Sequence, residues 1–185
     1  MGLLITLGVL VILVFWAVGK YNLLVRLRNN RENAFADIDV QLKQRHDLVP
    51  QLVATVKGYA AHEKETLEMV VNARNGAINA KSIDEKIVAE NALSSALAGL
   101  KVTVERYPDL KANTNFLHLQ EEVSDIENKL AAVRRFFNSA TKELNTAVEM
   151  FPSNIIAGMF GFKKEMMFDL GTERKTLEQA PEISF

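Results

Sequence analysis

The sequence predicts an all-α protein, in which an N-terminal transmembrane helix continues into an antiparallel up-down four-helix bundle with long helices. An uncharged apolar run fills residues 1–19, and apolar residues recur after it at the three- and four-residue spacing of helices. No stretch of useful length shows the alternation typical of a β-strand. The predicted parts are a membrane anchor at residues 1–20, a bundle at 21–151, an apolar membrane-proximal segment at 152–168 and a polar tail at 169–185.

The apolar run MGLLITLGVLVILVFWAVG is long enough to cross a membrane. Its residues, at about 1.5 Å rise each, span roughly 28 Å, close to the roughly 30 Å of a hydrocarbon core. Trp16 and Tyr21 stand at its C-terminal end, as aromatic interface residues do. A cleaved signal peptide is the alternative, because AVG at residues 17–19 resembles a cleavage site. The positively charged start of such peptides is missing, so an uncleaved anchor is favoured.

The charges after the run predict the orientation of the anchor. Lys20, Arg26, Arg28 and Arg31 all come before the first acidic residue, Glu32. Positive residues flanking a span stay on the cytoplasmic side. We therefore expect a single-pass protein with a short outer N-terminus and a cytoplasmic helical domain.

The first helix is expected to run on from the membrane, because no Gly or Pro occurs between Lys20 and Asp47. Asp47 suits an N-cap and Pro50 suits a first helical turn, so a corner is predicted here, with a second helix beginning near Leu48. The charged stretch IDVQLKQRHDLVPQL at residues 38–52 could instead be a catalytic or metal-binding cluster. The corner is the favoured interpretation.

Two further helices complete the predicted bundle. The tetrapeptide SIDE at Ser82–Glu85 matches a capping box and predicts the start of the third helix, which ends near Tyr107 because a residue before proline leaves the helical region. Apolar residues at a/d spacing from Phe116 to Phe151 predict the fourth. Long helices with short connections favour antiparallel neighbours.

The composition and the motifs point away from catalysis. The chain has no cysteine, and its 22 basic residues nearly balance 23 acidic ones, which gives no indication of nucleic-acid binding. The motif HEKET begins at His62 but has Thr66 where a zinc protease needs its second histidine. None of the three histidines follows a glutamate at the spacing of di-iron bundles. We expect a non-enzymatic protein without a cofactor or a metal.

The stretch SNIIAGMFGFKKEMMF at residues 153–168 is unusually rich in large apolar side chains. It could fold over the end of the bundle, lie in the membrane interface, or bind another copy or another membrane protein. The four predicted helices run alternately away from the membrane and back, so the fourth helix ends at the bilayer. This placement favours the membrane interface as the location of the segment. The predicted interface residues are Trp16, Lys20, Tyr21, Ile155, Ile156, Met159, Phe160, Phe162, Lys163 and Lys164.

Several long motifs resemble those of the LemA family. They are YNLLVRLRNN (21–30), IDVQLKQRHDLVPQLVATVKGYAAHE (38–63), ERYPDLKANTNFLHLQEE (105–122), ENKLAAVRRFFN (127–138) and FPSNIIAGMFGF (151–162). The resemblance implies a bacterial cytoplasmic-membrane protein with an N-terminal span and an antiparallel four-helix domain. It supplies no catalytic residues. Relatives are associated with membrane remodelling and with envelope stress beside a zinc membrane protease.

Polar residues of these motifs are predicted to form one network at the membrane-distal corners of the bundle, or a surface for a partner or another copy. They are Asp39, Gln41, Arg45, Asp47, Asp109, Lys111 and Asn113.

The predicted function is to organise or remodel the bacterial membrane by self-assembly into a homo-oligomer. The alternative is an adaptor for a membrane protease or an envelope-stress regulator. The expected partners are the lipid bilayer and further copies of the chain, and no nucleic acid.

Overall fold

The computed structural model describes residues 1–168, and all regular structure within them is helical. The all-α prediction is therefore confirmed for this part of the chain, and the predicted polar tail lies outside the described residues. The helices are α1 (Gly2–Tyr59), α2 (Lys64–Asn79), α3 (Ile83–Val104), α4 (Pro108–Lys111), α5 (Thr114–Glu149) and α6 (Ser153–Met159).

Helix α1 runs through the predicted corner without a break, so the prediction that a second helix begins near Leu48 is wrong. Pro50 lies inside the helix. Because proline has no backbone N–H, the carbonyl oxygen of His46 loses its usual helical donor. The Nε of Arg74 donates to that oxygen instead, at 2.7 Å. A contact from a distant helix thus satisfies the oxygen that Pro50 leaves free, and α1 continues to Tyr59.

The predicted start of the third helix is confirmed. Ser82 caps α3: its hydroxyl oxygen accepts from the Glu85 N–H at 3.2 Å, and the Glu85 carboxylate accepts from the Ser82 N–H at 3.3 Å. The last long helix, predicted from Phe116 onward, is also confirmed as α5. The side-chain oxygen of Asn113 accepts from the Phe116 N–H at 2.9 Å and closes the first turn of that helix.

The chain forms two compact units. The anchor unit comprises residues 1–36 and 136–167, and the core unit comprises residues 37–135, which Phe168 joins. Helices α1 and α5 each contribute residues to both units.

Each unit has an apolar core of its own. In the core unit, helices α1 to α5 bury a cluster that includes Val49, Val56, Val70, Leu93, Leu100, Leu110 and Phe116. In the anchor unit, Leu24 of α1 packs with Ile156 and Ala157 of α6.

Two helices are long and apolar enough to cross a membrane, judged by length and composition among the described residues. The best 18-residue window of α1 has a mean hydropathy of 2.6 and none of it is buried. The corresponding window of α3 reaches only 1.2 and is 33% buried. Because α3 supplies the core residues Leu93 and Leu100, the candidate membrane span is the N-terminal part of α1.

Candidate functional site

A buried arginine joins three helices of the core unit. The side chain of Arg45 on α1 is 0% exposed. Its Nη1 donates to the Ser94 hydroxyl on α3 at 3.0 Å and to the Glu127 carboxylate on α5 at 2.5 Å. Its Nη2 donates to the carboxylate of Glu90 on α3. A guanidinium fork suits this task because its donors point in fixed directions.

The second oxygen of the Glu90 carboxylate is paired with His46. The two atoms are 2.6 Å apart, and since a carboxylate only accepts, the Nε2 of His46 carries the proton. Burial pushes the pKa of Glu90 upward, but the hydrogen bond from His46 and the charge of Arg45 outweigh it, so the pKa lies below its ordinary value. Glu90 is therefore held as a carboxylate.

Arg45, His46, Glu90, Ser94 and Glu127 are here called the Arg45 cluster. It contains serine, histidine and glutamate, the residue types of an acyl-transfer triad, but not in the arrangement that such chemistry needs. A triad requires the hydroxyl to donate to the imidazole. Here the hydroxyl of Ser94 accepts from Arg45, and His46 bonds to Glu90. Within residues 1–168, no group of three or more His, Cys, Asp and Glu side chains could hold a metal ion.

The predicted single polar network is wrong, because its members lie in separate groups. Since α1 runs on to Tyr59, Arg45 lies within the helix and not at a corner. Asp39 pairs with Lys86 at 2.8 Å, and Lys111 pairs with Glu105 at 2.5 Å. The remaining members make no hydrogen bond or ion pair with the Arg45 cluster among the described residues: they are Gln41, Asp47, Asp109 and Asn113.

The actual corner lies between α1 and α2, and the sequence analysis missed most of its residues. The Glu63 carboxylate accepts from the Tyr107 hydroxyl at 2.8 Å and from Arg106 at 2.9 Å. The hydrogen bond to Glu63 raises the pKa of Tyr107. The Asn113 amide donates to the Tyr59 hydroxyl at 2.9 Å. Asp109, Lys111 and Asn113 all lie in the connection between α3 and α5, as predicted.

The anchor unit brings the end of the apolar run and the predicted interface segment together. The Tyr21 ring lies 4.7 Å from the Phe160 ring and 6.0 Å from the Phe162 ring, measured between centroids. The prediction for Ile156 as an interface residue is wrong, because it is 4% exposed and packs on Leu24. Helix α6 thus rests directly on the first turns of α1 after its apolar run.

The anchor unit exposes large apolar side chains in and around α6, here called the α6 surface. Its members are Met150, Phe151, Ile155, Met159 and Phe160, with exposed fractions of 57%, 78%, 49%, 73% and 58%. Clustered exposed apolar residues of this kind mark a contact with a membrane or another protein.

The segment after α6 is held in place by polar contacts. Gly161 adopts a φ of 74°, a conformation that favours glycine, and turns the chain back from α6. The Asn145 side chain then donates to the Glu165 carbonyl at 2.9 Å and accepts from the Glu165 N–H at 2.8 Å. Arg31 adds an ion pair to the Glu165 carboxylate at 3.3 Å.

The two predicted interface lysines of this segment are both exposed. Lys164 also pairs with Glu149 at 2.9 Å. The contact of this region with lipid stays a prediction.

Comparisons with known proteins show which family and relatives this chain is similar to. A sequence model described as "LemA family" matches residues 34–185, which is most of the chain. Protein LemA of Metamycoplasma hominis is 29% identical over 77% of this chain and 66% of its own length. Magnetosome protein MamQ of Magnetospirillum gryphiswaldense is 22% identical over 80% of this chain and 64% of its own. The chain therefore spans slightly less than two thirds of the length of these relatives.

Proposed function

The chain belongs to the LemA family, and on that premise we propose that it is a non-enzymatic, single-pass protein that organises or remodels the bacterial cytoplasmic membrane by self-assembly into a homo-oligomer. In this proposal residues 1–20 anchor the protein with its N-terminus outside. Helices α1, α2, α3 and α5 form an antiparallel bundle on the cytoplasmic side.

The observation that carries the proposal is the position of the α6 surface. Ile156 and Ala157 seat α6 on Leu24, only a few residues beyond the apolar run of α1. Phe151, just before α6, and Met159, at its end, are 78% and 73% exposed. Apolar side chains at the level where a span leaves the bilayer enter the interface favourably. The protein would then contact the membrane at two places.

Two contacts with the bilayer constrain the tilt of the protein, which a single span leaves free. A fixed tilt favours repeated lateral contacts, because every copy presents the same surface at the same height. Helix α1 also carries the apolar run and the buried Arg45 on one uninterrupted helix. Two bilayer contacts and one continuous helix would hold every copy in the same orientation. A lateral array requires such a fixed orientation.

The first test is the mass and shape of the full-length protein in mild detergent, by electron microscopy and light scattering. Large, regular particles are expected. A monodisperse monomer would contradict self-assembly.

A double variant tests the α6 surface directly. Phe151→Ser with Met159→Ser should reduce the membrane contact and break up the array on vesicles. The matched control is Met69→Ser on α2, which is 52% exposed and outside the anchor unit. Equal effects of both changes would show that the α6 surface has no special role.

An adaptor for a membrane protease or stress regulator is the second candidate, and a cavity in the core unit favours it. This cavity of about 610 Å³ is lined by apolar residues such as Leu97 and Val123, and by Ser94 and Glu127 of the Arg45 cluster. Its size and composition are typical of a pocket that accepts an apolar group. Crosslinking from Val123 to another protein in a monomeric sample would support this candidate.

A further inference from the structure

A second cavity, here called the juxtamembrane cavity, lies in the anchor unit. It is open to solvent, has a volume of about 470 Å³ and is lined by α1, α5 and the turn into α6. Its lining includes Lys20 and Leu23 from α1 and Lys142 and Glu143 from α5, with Phe151 at the turn. The size is within the range of small-molecule sites.

The charged groups of the juxtamembrane cavity favour an anion. Lys20 and Lys142 both line it, and neither makes an ion pair with any of the described residues. Some lysines elsewhere in the chain are paired, for example Lys129 with Asp125 at 2.7 Å. Glu143 supplies the cavity's one carboxylate, so the ionisable lining carries a net positive charge.

The apolar part of the lining favours an amphiphile over a simple ion. Leu23, Leu27, Met150 and Phe151 line the same cavity as the two lysines. Phe151 is 78% exposed. A simple anion such as inorganic phosphate would leave this apolar ring in contact with water. A ligand with an anionic head and an apolar body would cover both kinds of surface.

The position of Lys20 identifies the source of such a ligand. Lys20 directly follows the uncharged run of residues 1–19, so its ammonium group lies at the headgroup level of a bilayer that this run crosses. Basic residues next to a span attract anionic lipids. We infer that the juxtamembrane cavity binds the headgroup of an anionic phospholipid. Lys20 and Lys142 pair with its phosphate, and Leu23 and Phe151 contact the first part of its acyl chains.

This inference rests on the proposed membrane anchoring but not on self-assembly. It predicts that the protein prefers phosphatidylglycerol to phosphatidylcholine at this site. One basic residue near an anionic surface contributes about a fivefold preference. Lys142→Gln should therefore lower the preference about fivefold, and Glu143→Gln should raise it.

The single tryptophan of the chain provides the measurement. Trp16 lies one helical turn before Lys20 and on the same side of α1. Brominated lipids quench tryptophan fluorescence at short range, so the full-length protein is placed in vesicles with brominated phosphatidylglycerol or brominated phosphatidylcholine. Stronger quenching by phosphatidylglycerol, reduced in Lys142→Gln and unchanged in Lys129→Gln, is the expected result.

The other outcomes separate the two proposals. Equal quenching by both lipids would overturn the headgroup site while leaving the anchor in place. Equal losses in Lys142→Gln and Lys129→Gln would also overturn it, because the preference would then reflect overall charge. Reversal by millimolar inorganic phosphate at constant ionic strength would identify a free-anion site instead. No quenching by either lipid would overturn the anchor and the headgroup site together.

Discussion

The core unit and the anchor unit both have an apolar core, but the ion pairs that join their helices differ in burial. In the core unit, Arg45 and Glu90 form an ion pair with exposed fractions of 0% and 1%. In the anchor unit, α6 packs on α1 through apolar and aromatic side chains. The anchor unit also has an ion pair, between Arg31 and Glu165, but the Glu165 side chain is 32% exposed.

This difference predicts how the stability of each unit responds to amino-acid substitutions. A buried ion pair loses much solvation energy and is stable only while all partners are in place, so it specifies one arrangement of helices. Apolar packing has no directional requirement and responds gradually to substitution. We therefore expect the core unit to be sensitive to single charge changes and the anchor unit to be more tolerant.

The largest expected effect is that of Arg45→Ala. The change leaves the buried Glu90 carboxylate without its guanidinium partner, and breaking a buried pair in this way costs about 3–5 kcal/mol. Thermal unfolding of the full-length protein in detergent, followed by circular dichroism, measures the loss.

Two controls define the cause of that loss. The double variant Arg45→Met with Glu90→Leu removes both charges and should be more stable than the single variant. Lys129→Ala breaks the exposed pair with Asp125 and should cost no more than about 0.5 kcal/mol. A single variant as stable as the wild type would contradict the role given to Arg45.

A smaller effect is expected from Asn145→Ala in the anchor unit. The change removes both hydrogen bonds to the Glu165 backbone, a loss of about 1–3 kcal/mol. Residues 162–168 should then exchange their amide hydrogens faster, as measured by mass spectrometry. Asn145→Asp keeps the acceptor and loses the donor, so its effect should be intermediate. Unchanged exchange would mean that other contacts hold the segment.

The smallest expected effect is a dependence on pH that comes from Glu90. Its pKa is lower in the folded protein than in the unfolded chain, so its contribution is complete above about pH 4.5 and is lost as the pH falls through the folded value. One group changes stability by at most about 1.4 kcal/mol per pH unit. Below about pH 4.5, Glu90→Gln should therefore lose stability less steeply than the wild type. If the stabilities of Glu90→Gln and the wild type fell in parallel with pH, the pH dependence would come from other carboxylates.

The local features of the fold could be predicted from the sequence. The capping box at Ser82, the start of α5 near Phe116 and the uncharged run of α1 each depend on residues that are neighbours along the chain. Such patterns act through the backbone of a single helix and need no distant partner. For the same reason the all-α class was predictable.

The candidate sites could not be predicted, because they depend on contacts between residues that are far apart in the sequence. The Nε of Arg74 donates to the carbonyl oxygen of His46. The helix therefore continues through Pro50, where the sequence analysis predicted a corner. Arg45, predicted as a corner residue, is buried among Glu90, Ser94 and Glu127. The partners of Glu63 at the actual corner are on another helix, and no local pattern marks them.

The sequence by itself determined that this chain is helical, that its first helix begins with a run able to cross a membrane, and that the region around residues 155–168 is apolar. Only the tertiary structure decided where α1 ends, which charges are buried and which side of α6 remains exposed. The physical reason is the range of the interactions. Helix formation and capping act over a few residues, whereas ion pairing and burial join side chains that only the packed chain brings together.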